Sequence, residues 1–480
     1  MAVSKTKKKF AFDVGWVFTG LVVALVIRFL RKIVLARYLG PTDLGLFSMC
    51  LTIGSIITLV AGFGLESAVI KYVAEYKEDK NKLSQLVSSA FLTMIIFGVL
   101  SGAILFILSD TLAGIFNMPS LSLLLKIFCI AFPFTLIFSI ILGLFNGLRE
   151  MNYHSYANIS RASLAFTFIL ILILIGFGVR GAVLGYVLAE IAIACIFFAF
   201  IKKYFRFTTL DYKQNIRILT SFGSRILGEN VANTVSYEAD TLLIGYFLTA
   251  TDVGYYAIAV ALSRFFWLVP NAIQHVTYPA TSEYWSTNNH SALQKMIDKS
   301  MKYTACILFP IGLGVGFFAR DIITLIFGGE FIFAVLPLRI LIIGTVILGI
   351  AKSIGGFLAG IGKPGLSLKI NSTSAIINVT LNVLLIPLFG ISGAALATMT
   401  SFIVLTILTI YLIVKIGQIQ INIKPYIQLS VIAILVVVLF ILNMINVYLL
   451  GIILSIYVIT IFTFVLREED RQMLRSLILR

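Results

Sequence analysis

The stretch Ala36-Arg37-Tyr38-Leu39-Gly40-Pro41-Thr42-Asp43-Leu44-Gly45-Leu46-Phe47 interrupts two apolar runs, and its second half has an echo. Thr42-Asp43-Leu44-Gly45-Leu46-Phe47 returns 209 positions later as Thr251-Asp252-Val253-Gly254-Tyr255-Tyr256. Further echoes follow in the same order at offsets of 212 to 213. Leu125-Lys126-Ile127 is matched by Leu338-Arg339-Ile340, Asn158 by Asn371, and Gly178-Val179-Arg180-Gly181-Ala182 by Gly390-Ile391-Ser392-Gly393-Ala394. Matches in one order at nearly one offset mark an internal duplication. The offset takes in six apolar runs. Six is even, so both copies enter the membrane from the same side, and their symmetry axis is predicted to run along the membrane normal, as in transporters with parallel repeats.

Composition requires the membrane. Of 480 residues, 60% are apolar and 12% charged, and mean hydropathy is +1.04, values outside the range of soluble domains. The apolar runs are continuous, which excludes an alternating β-barrel pattern. Runs long enough to span fall at roughly 14–38, 44–66, 83–108, 122–148, 153–176, 181–201, 219–248, 252–279, 300–318, 334–362, 366–388, 392–414, 425–444 and 446–466. The predicted fold is an all-α polytopic membrane protein of about fourteen transmembrane helices. Its expected domains are an N-terminal lobe at 1–201 (spans 1–6), a cytoplasmic linker at 202–218, a C-terminal lobe at 219–416 (spans 7–12), a helix pair at 425–466, and a cytoplasmic tail at 467–480. The hydrophilic connections are too short for a folded soluble domain, so the helical bundle itself carries the function.

A net charge of +16 follows the positive-inside rule and is not a nucleic-acid footprint. With the N-terminus inside, the inner loops hold Lys5–Lys9, Lys71–Lys82, Lys202–Arg217, Lys295–Lys302 and Arg467–Arg480, while the outer loops hold only Arg37, Arg180 and Arg320. That asymmetry predicts a multi-pass protein of the cytoplasmic membrane with both termini cytoplasmic. Cys50, Cys129, Cys195 and Cys306 lie in apolar runs without a CxxC, and His154, His275 and His290 are scattered, so neither a metal site nor a cofactor is expected. No nucleophile elbow or phosphate loop is present.

These features bring a family into view. Two six-helix lobes with an added pair resemble the flippases of the multidrug/oligosaccharidyl-lipid/polysaccharide (MOP) exporter superfamily, most of all the polysaccharide-biosynthesis (O-antigen, Wzx-type) branch. The residues carrying the likeness are Ala36–Phe47, Gly62-Phe63-Gly64-Leu65, Ala239-Asp240-Thr241-Leu242-Leu243-Ile244-Gly245-Tyr246-Phe247 and Val253-Gly254-Tyr255-Tyr256. The resemblance implies a transporter, not an enzyme, which moves a polyprenyl-diphosphate-linked oligosaccharide from the inner to the outer leaflet by alternating access. Its partners are then the lipid-linked saccharide and membrane lipids. Coupling to H+ or Na+ has no signature in these residues.

Charges inside the predicted spans suit that cargo. Arg28, Arg31 and Lys32 share one face of span 1, where cations must meet water or a partner. Span 7 carries a stripe of Arg225, Glu229, Asn233, Tyr237 and Asp240; Arg225 and Glu229 can pair within the helix. Asp240 aligns with Arg31 and is expected to be a structural partner of span 1. Arg264, Trp267 and Asn271 line one side of span 8, with Pro270 available to kink it. Lys352 in span 10 and Asn371 and Asn378 in span 11 complete the cavity candidates, the amides suiting either sugar hydroxyls or interhelical bonds. Glu66, Arg161 and Glu190 are structural or coupling candidates, with Arg161 and Glu190 placed to pair. Taken together, Arg28 and Arg264 are expected to line one cavity and meet the diphosphate.

Other functions have signatures against which the chain is compared. A cation-coupled exporter of small amphiphiles needs deep carboxylates in a neutral or acidic pocket, whereas this core is net basic. A membrane glycosyltransferase needs a sizeable hydrophilic loop or an acidic pair for a metal–nucleotide. A lipid II flippase shares the fold and differs only by likeness. The topology has a direct check: reporter fusions after Asn117 and Arg180 should report outside, and one after Phe207 inside.

Overall fold

In the computed structural model every described element is a helix. Helices satisfy their own backbone donors and acceptors, which hydrocarbon requires of any spanning segment. The structure describes residues 2–428 apart from Lys203, Phe205, Ile423 and Pro425, together with Gly451, Ser455 and Tyr457. Apart from those positions, the helix pair expected at 425–466 and the tail at 467–480 lie outside the described residues.

The first helix, α1 (Ala2–Gly62), runs for 61 residues. At 1.5 Å per residue an unbroken rod of that length would reach about 90 Å, three times the hydrocarbon thickness. It breaks at Gly40, whose φ of 71° and ψ of −177° suit glycine alone, and Pro41 then brings no N–H to rejoin the ladder. The break falls inside the interruption quoted above. A second break at Phe63 and Gly64, both with positive φ, separates α1 from α2 (Leu65–Tyr76).

The order continues with α3 (Lys80–Ile115), capped by the Asp79 carboxylate, then α4 (Pro119–Phe128) and α5 (Ala131–Gly147), which meet at a 49° bend. Helices α6 (Met151–Leu174), α7 (Gly178–Ile201), α8 (Tyr212–Phe247) and α9 (Ala250–Ser263) follow. A 3₁₀ turn at Arg264–Trp267 leads into α10 (Leu268–Ser286). Next come α11 (His290–Phe317), α12 (Ala319–Ile326), a 3₁₀ segment at Gly329–Ala334, α13 (Val335–Lys352), α14 (Phe357–Gly360), α15 (Pro364–Phe389) and α16 (Ile391–Gly417). Among the described residues nine helical stretches are long and apolar enough to cross a membrane, or ten if the bent pair α4–α5 is one span. The protein is a polytopic membrane protein.

The chain forms two compact units. Unit 1 comprises Met1–Ile258, Ile326–Phe331 and Val379–Ala394. Its core joins α2, α3, α5 and α7 through buried Leu65, Val69, Leu86, Phe91, Phe138, Phe145 and Phe197. Unit 2 comprises Ala259–Leu325, Ile332–Asn378 and Ala395–Arg480, and packs Leu293, Ile297 and Met301 of α11 with Ile350, Phe357 and Ile413. Between helices in lipid, close packing and hydrogen bonds replace the hydrophobic drive available in water.

Within unit 1 the two echoed motifs touch each other. Thr42 and Thr251 share a hydroxyl hydrogen bond of 2.8 Å. A Cβ on Gly45 would overlap the Ala250 carbonyl, and one on Gly254 would overlap the Pro41 carbonyl. Position 45 corresponds to 254 and position 41 to 250 at the offset of 209, so the contact is reciprocal, as at a two-fold interface. Segments from further along the chain pack beside it. Phe327 meets Phe29 edge-on at 5.8 Å, Phe331 meets Tyr255 at 6.1 Å, and Arg37 donates from Nε to the Ile326 carbonyl at 2.9 Å.

Both glycines are required by backbone proximity. Gly45→Ala and Gly254→Ala should each destabilise the protein by about 1–3 kcal/mol through overpacking. Gly314→Ala in α11, with open space around it, should be neutral or slightly stabilising. Thermal unfolding in detergent compares the three.

Candidate functional site

The charged side chains of unit 1 gather where α1, α6 and α7 pack together. Arg161 on α6 donates from Nε to Oε1 of Glu190 on α7 at 2.8 Å and from Nη2 to Oε2 at 2.9 Å. The Thr135 hydroxyl adds a third bond to Glu190 at 3.2 Å, and the guanidinium lies 5.2 Å from the Phe138 ring centroid. Glu190 is wholly buried. Such a fork-to-fork pair fixes geometry as well as charge.

On α1, Arg28 is exposed and Arg31 half-buried; their charges are influenced at longer range by Arg161, Glu190 and Tyr186, as that of Glu66 is by Arg161. Among the described residues neither Arg28 nor Arg31 makes an ion pair. Arg161 claims Glu190, so the group holds three guanidiniums against two carboxylates. Two cations set one turn apart on an apolar helix, with no ion pair among the described residues, would attract an anion. Lys32, on the same face, is engaged differently: its ammonium donates to the Ala257 carbonyl at 2.7 Å and ties α1 to α9.

Asp240 sits elsewhere in unit 1. Its carboxylate accepts the Tyr256 hydroxyl at 2.6 Å and the Asn382 amide at 2.8 Å, all three side chains being buried. Among the described residues no ion pair joins it to Arg31, the residue it aligns with. Glu238, two positions earlier, takes the Thr52 hydroxyl at 3.2 Å. Arg225 is exposed on α8, and the side chains of Glu229 and Asn233 lie outside the described set.

Unit 2 holds the remaining candidates. Arg264 opens the 3₁₀ turn and Asn271 lies on the first turn of α10. The helix is interrupted at Arg264–Trp267, the turn before Pro270, where the proline lacks the N–H for the i−4 carbonyl and its ring crowds that carbonyl. The Lys352 ammonium lies 4.8 Å from the Trp267 ring centroid. Asn371 is half-buried on α15. Asn378 is fully buried and donates to Thr398 at 3.2 Å and Ser401 at 3.5 Å, which is interhelical bonding between α15 and α16.

Sequence reasoning named Tyr256 only within the repeat motif and did not find Thr135, Tyr186 or Glu238. Each is an ordinary helix residue whose role comes from a neighbour on another helix. Among the described residues no three His, Cys, Asp or Glu side chains gather at metal-binding distance.

A family model described as polysaccharide biosynthesis protein matches residues 34–336, which is more than half of the chain. The chain belongs to that family. The likeness read from Ala36–Phe47 is therefore borne out. A probable low-salt glycan biosynthesis flippase, Agl15 of Haloferax volcanii, is 30% identical over 41% of each chain. The lipopolysaccharide biosynthesis protein WzxC of Escherichia coli is 22% identical over 83% of this chain and 80% of its own. Among solved structures, the lipid II flippase MurJ in an inward closed conformation aligns with a TM-score of 0.75 at 16% identity, covering 94% of this chain and 98% of that one. At that identity the likeness speaks to the fold alone.

The Arg161–Glu190 pair has a measurable signature. Glu190→Leu leaves a half-buried guanidinium uncompensated and should cost about 1–3 kcal/mol, while Arg161→Met with Glu190→Leu should recover much of that loss. A double-mutant cycle read by unfolding checks it.

Proposed function

We propose that this protein flips a polyprenyl-diphosphate-linked oligosaccharide from the inner to the outer leaflet of the cytoplasmic membrane, for cell-surface glycan assembly. Family membership supports transport of that cargo class, and one observation in the molecule carries the assignment. Arg28 and Arg31 stand on an apolar helix without an ion-pair partner among the described residues. A diphosphate brings about two negative charges. At an effective dielectric near 20, a charge pair 4 Å apart is worth about 4 kcal/mol, enough to favour an anionic headgroup over a neutral amphiphile. Arg264 and Lys352 are assigned as further cations for the headgroup, with Asn271 and Asn371 as contacts to sugar hydroxyls. Asp240, Glu66, Arg161 and Glu190 keep structural roles.

The proposed arrangement is two parallel lobes, 1–201 and 219–416, joined by a linker at 202–218, with a helix pair at 425–466 and a tail at 467–480, fourteen spans in all. Both termini are then cytoplasmic, and the Thr42–Thr251 contact faces outward. Reciprocal contact at that end supports a resting form closed to the outside. Release of the saccharide outside requires Thr42 and Thr251 to separate, which is the outward half of an alternating-access cycle. The work is transport, with no covalent step.

The test is export. Arg28→Ala and Arg264→Ala should abolish surface saccharide at normal protein levels, because a lost charge-assisted contact weakens headgroup binding by about 1.5–3 kcal/mol. Arg→Lys should be intermediate, since an ammonium keeps the charge but not the fork. Full export by an alanine variant at normal abundance would remove that arginine from the site.

A further inference from the structure

Helix α10 runs against α13 and α14 along a line of glycines. Pro270 meets Gly349, Gln274 meets Gly355, Tyr278 meets Gly356, and Thr281 meets Gly360. The Thr277 hydroxyl donates to the Ser353 carbonyl at 2.8 Å and locks the two segments in register. Both segments are interrupted beside this contact, one by the 3₁₀ turn Arg264–Trp267 and the other by the turn at 353–356. Lys352 emerges at the second interruption and Trp267 at the first.

The pairing of these two side chains is chemically incomplete. Lys352 rests on the indole face at 4.8 Å, and among the described residues it makes no ion pair and no hydrogen bond. The ring quadrupole attracts a cation, but less strongly than a full negative charge does. The long Lys352 stem has three rotatable donors and can swing to a nearby oxyanion. Its departure would bare the indole face on which it now lies. A flat aromatic surface beside a cation matches a diphosphate followed by a sugar ring, whose C–H face stacks on indole.

We propose that Lys352 and Trp267 form a loading subsite for the diphosphate and first sugar of the cargo. The indole holds the ammonium while the protein is unloaded, the bound diphosphate takes the ammonium over, and the vacated indole face carries the sugar. The subsite rests on the flippase assignment above and adds to it the residue pair that reads the linkage between lipid and saccharide.

Tryptophan emission tests the exchange, since the chain has three tryptophans. Trp16→Phe with Trp285→Phe leaves Trp267 as the sole reporter in full-length protein in lipid nanodiscs. The probes are polyprenyl diphosphate, polyprenyl-diphosphate monosaccharide and inorganic diphosphate, with capture of radiolabelled lipid measured in parallel. Both lipids should change Trp267 emission saturably, the monosaccharide form more strongly, and inorganic diphosphate should not match them. Lys352→Met should erase the response to polyprenyl diphosphate and weaken capture about tenfold, roughly 1.4 kcal/mol; Lys352→Arg should retain both. Capture with silent Trp267 emission, or unchanged capture by Lys352→Met, overturns the subsite and leaves the flippase assignment standing. An equal response to inorganic diphosphate overturns the lipid-linked ligand at this site. Failure of the parent protein to capture either lipid overturns the flippase assignment itself.

Discussion

At Gly45 and Gly254 two backbones come so close that neither position has room for a Cβ. Much of unit 1 depends on this contact. It holds the second arm of α1 against the start of α9, and it sets where the first arm of α1 begins its return from Gly40. Along that arm, Arg37 fastens to the Ile326 carbonyl and Lys32 to the Ala257 carbonyl. Arg28 and Arg31 then fall beside Arg161 and Glu190 on α6 and α7. The cations thus have fixed positions because the backbone above them is pinned. A flexible approach would let long side chains withdraw toward water.

A second constraint shapes the charges themselves. Hydrocarbon tolerates a guanidinium only when something answers it. Glu190, which also accepts the Thr135 hydroxyl, answers Arg161 together with the Phe138 ring. Arg28 and Arg31 make no ion pair with it among the described residues, and the proposed anion site is built on that difference. Asp240 belongs with the frame, its carboxylate accepting from Tyr256 and Asn382.

Much of this was legible in the sequence where local chemistry dictates the outcome. Gly40-Pro41 announces a break because glycine accepts the positive φ and proline lacks a donor. The echo of Thr42–Phe47 at Thr251–Tyr256 foretold that these segments correspond, and depth alone suggested that Arg161 and Glu190 pair. Long-range partners were not legible. Asn382 lies 142 positions from Asp240, and no periodicity on either helix connects them. The alignment of Asp240 with Arg31 marked equivalent positions, which are not the same as touching ones. The amides of span 11 were ambiguous by composition, and only the packing of α15 on α16 shows Asn378 bonded to Thr398 and Ser401.

In the proposed cycle the Thr42–Thr251 contact opens for a lipid-linked saccharide to cross. This opening is tested most directly in vesicles holding a chain with its four native cysteines replaced and cysteines introduced as Thr42→Cys and Thr251→Cys. Hydroxyls 2.8 Å apart place the new thiols within reach of a disulfide. Transfer of a labelled polyprenyl-diphosphate oligosaccharide between leaflets is followed before and after reduction. The account predicts transfer by the reduced protein, none by the oxidised protein, and recovery when reductant is added. Transfer at an equal rate through the oxidised protein would contradict it.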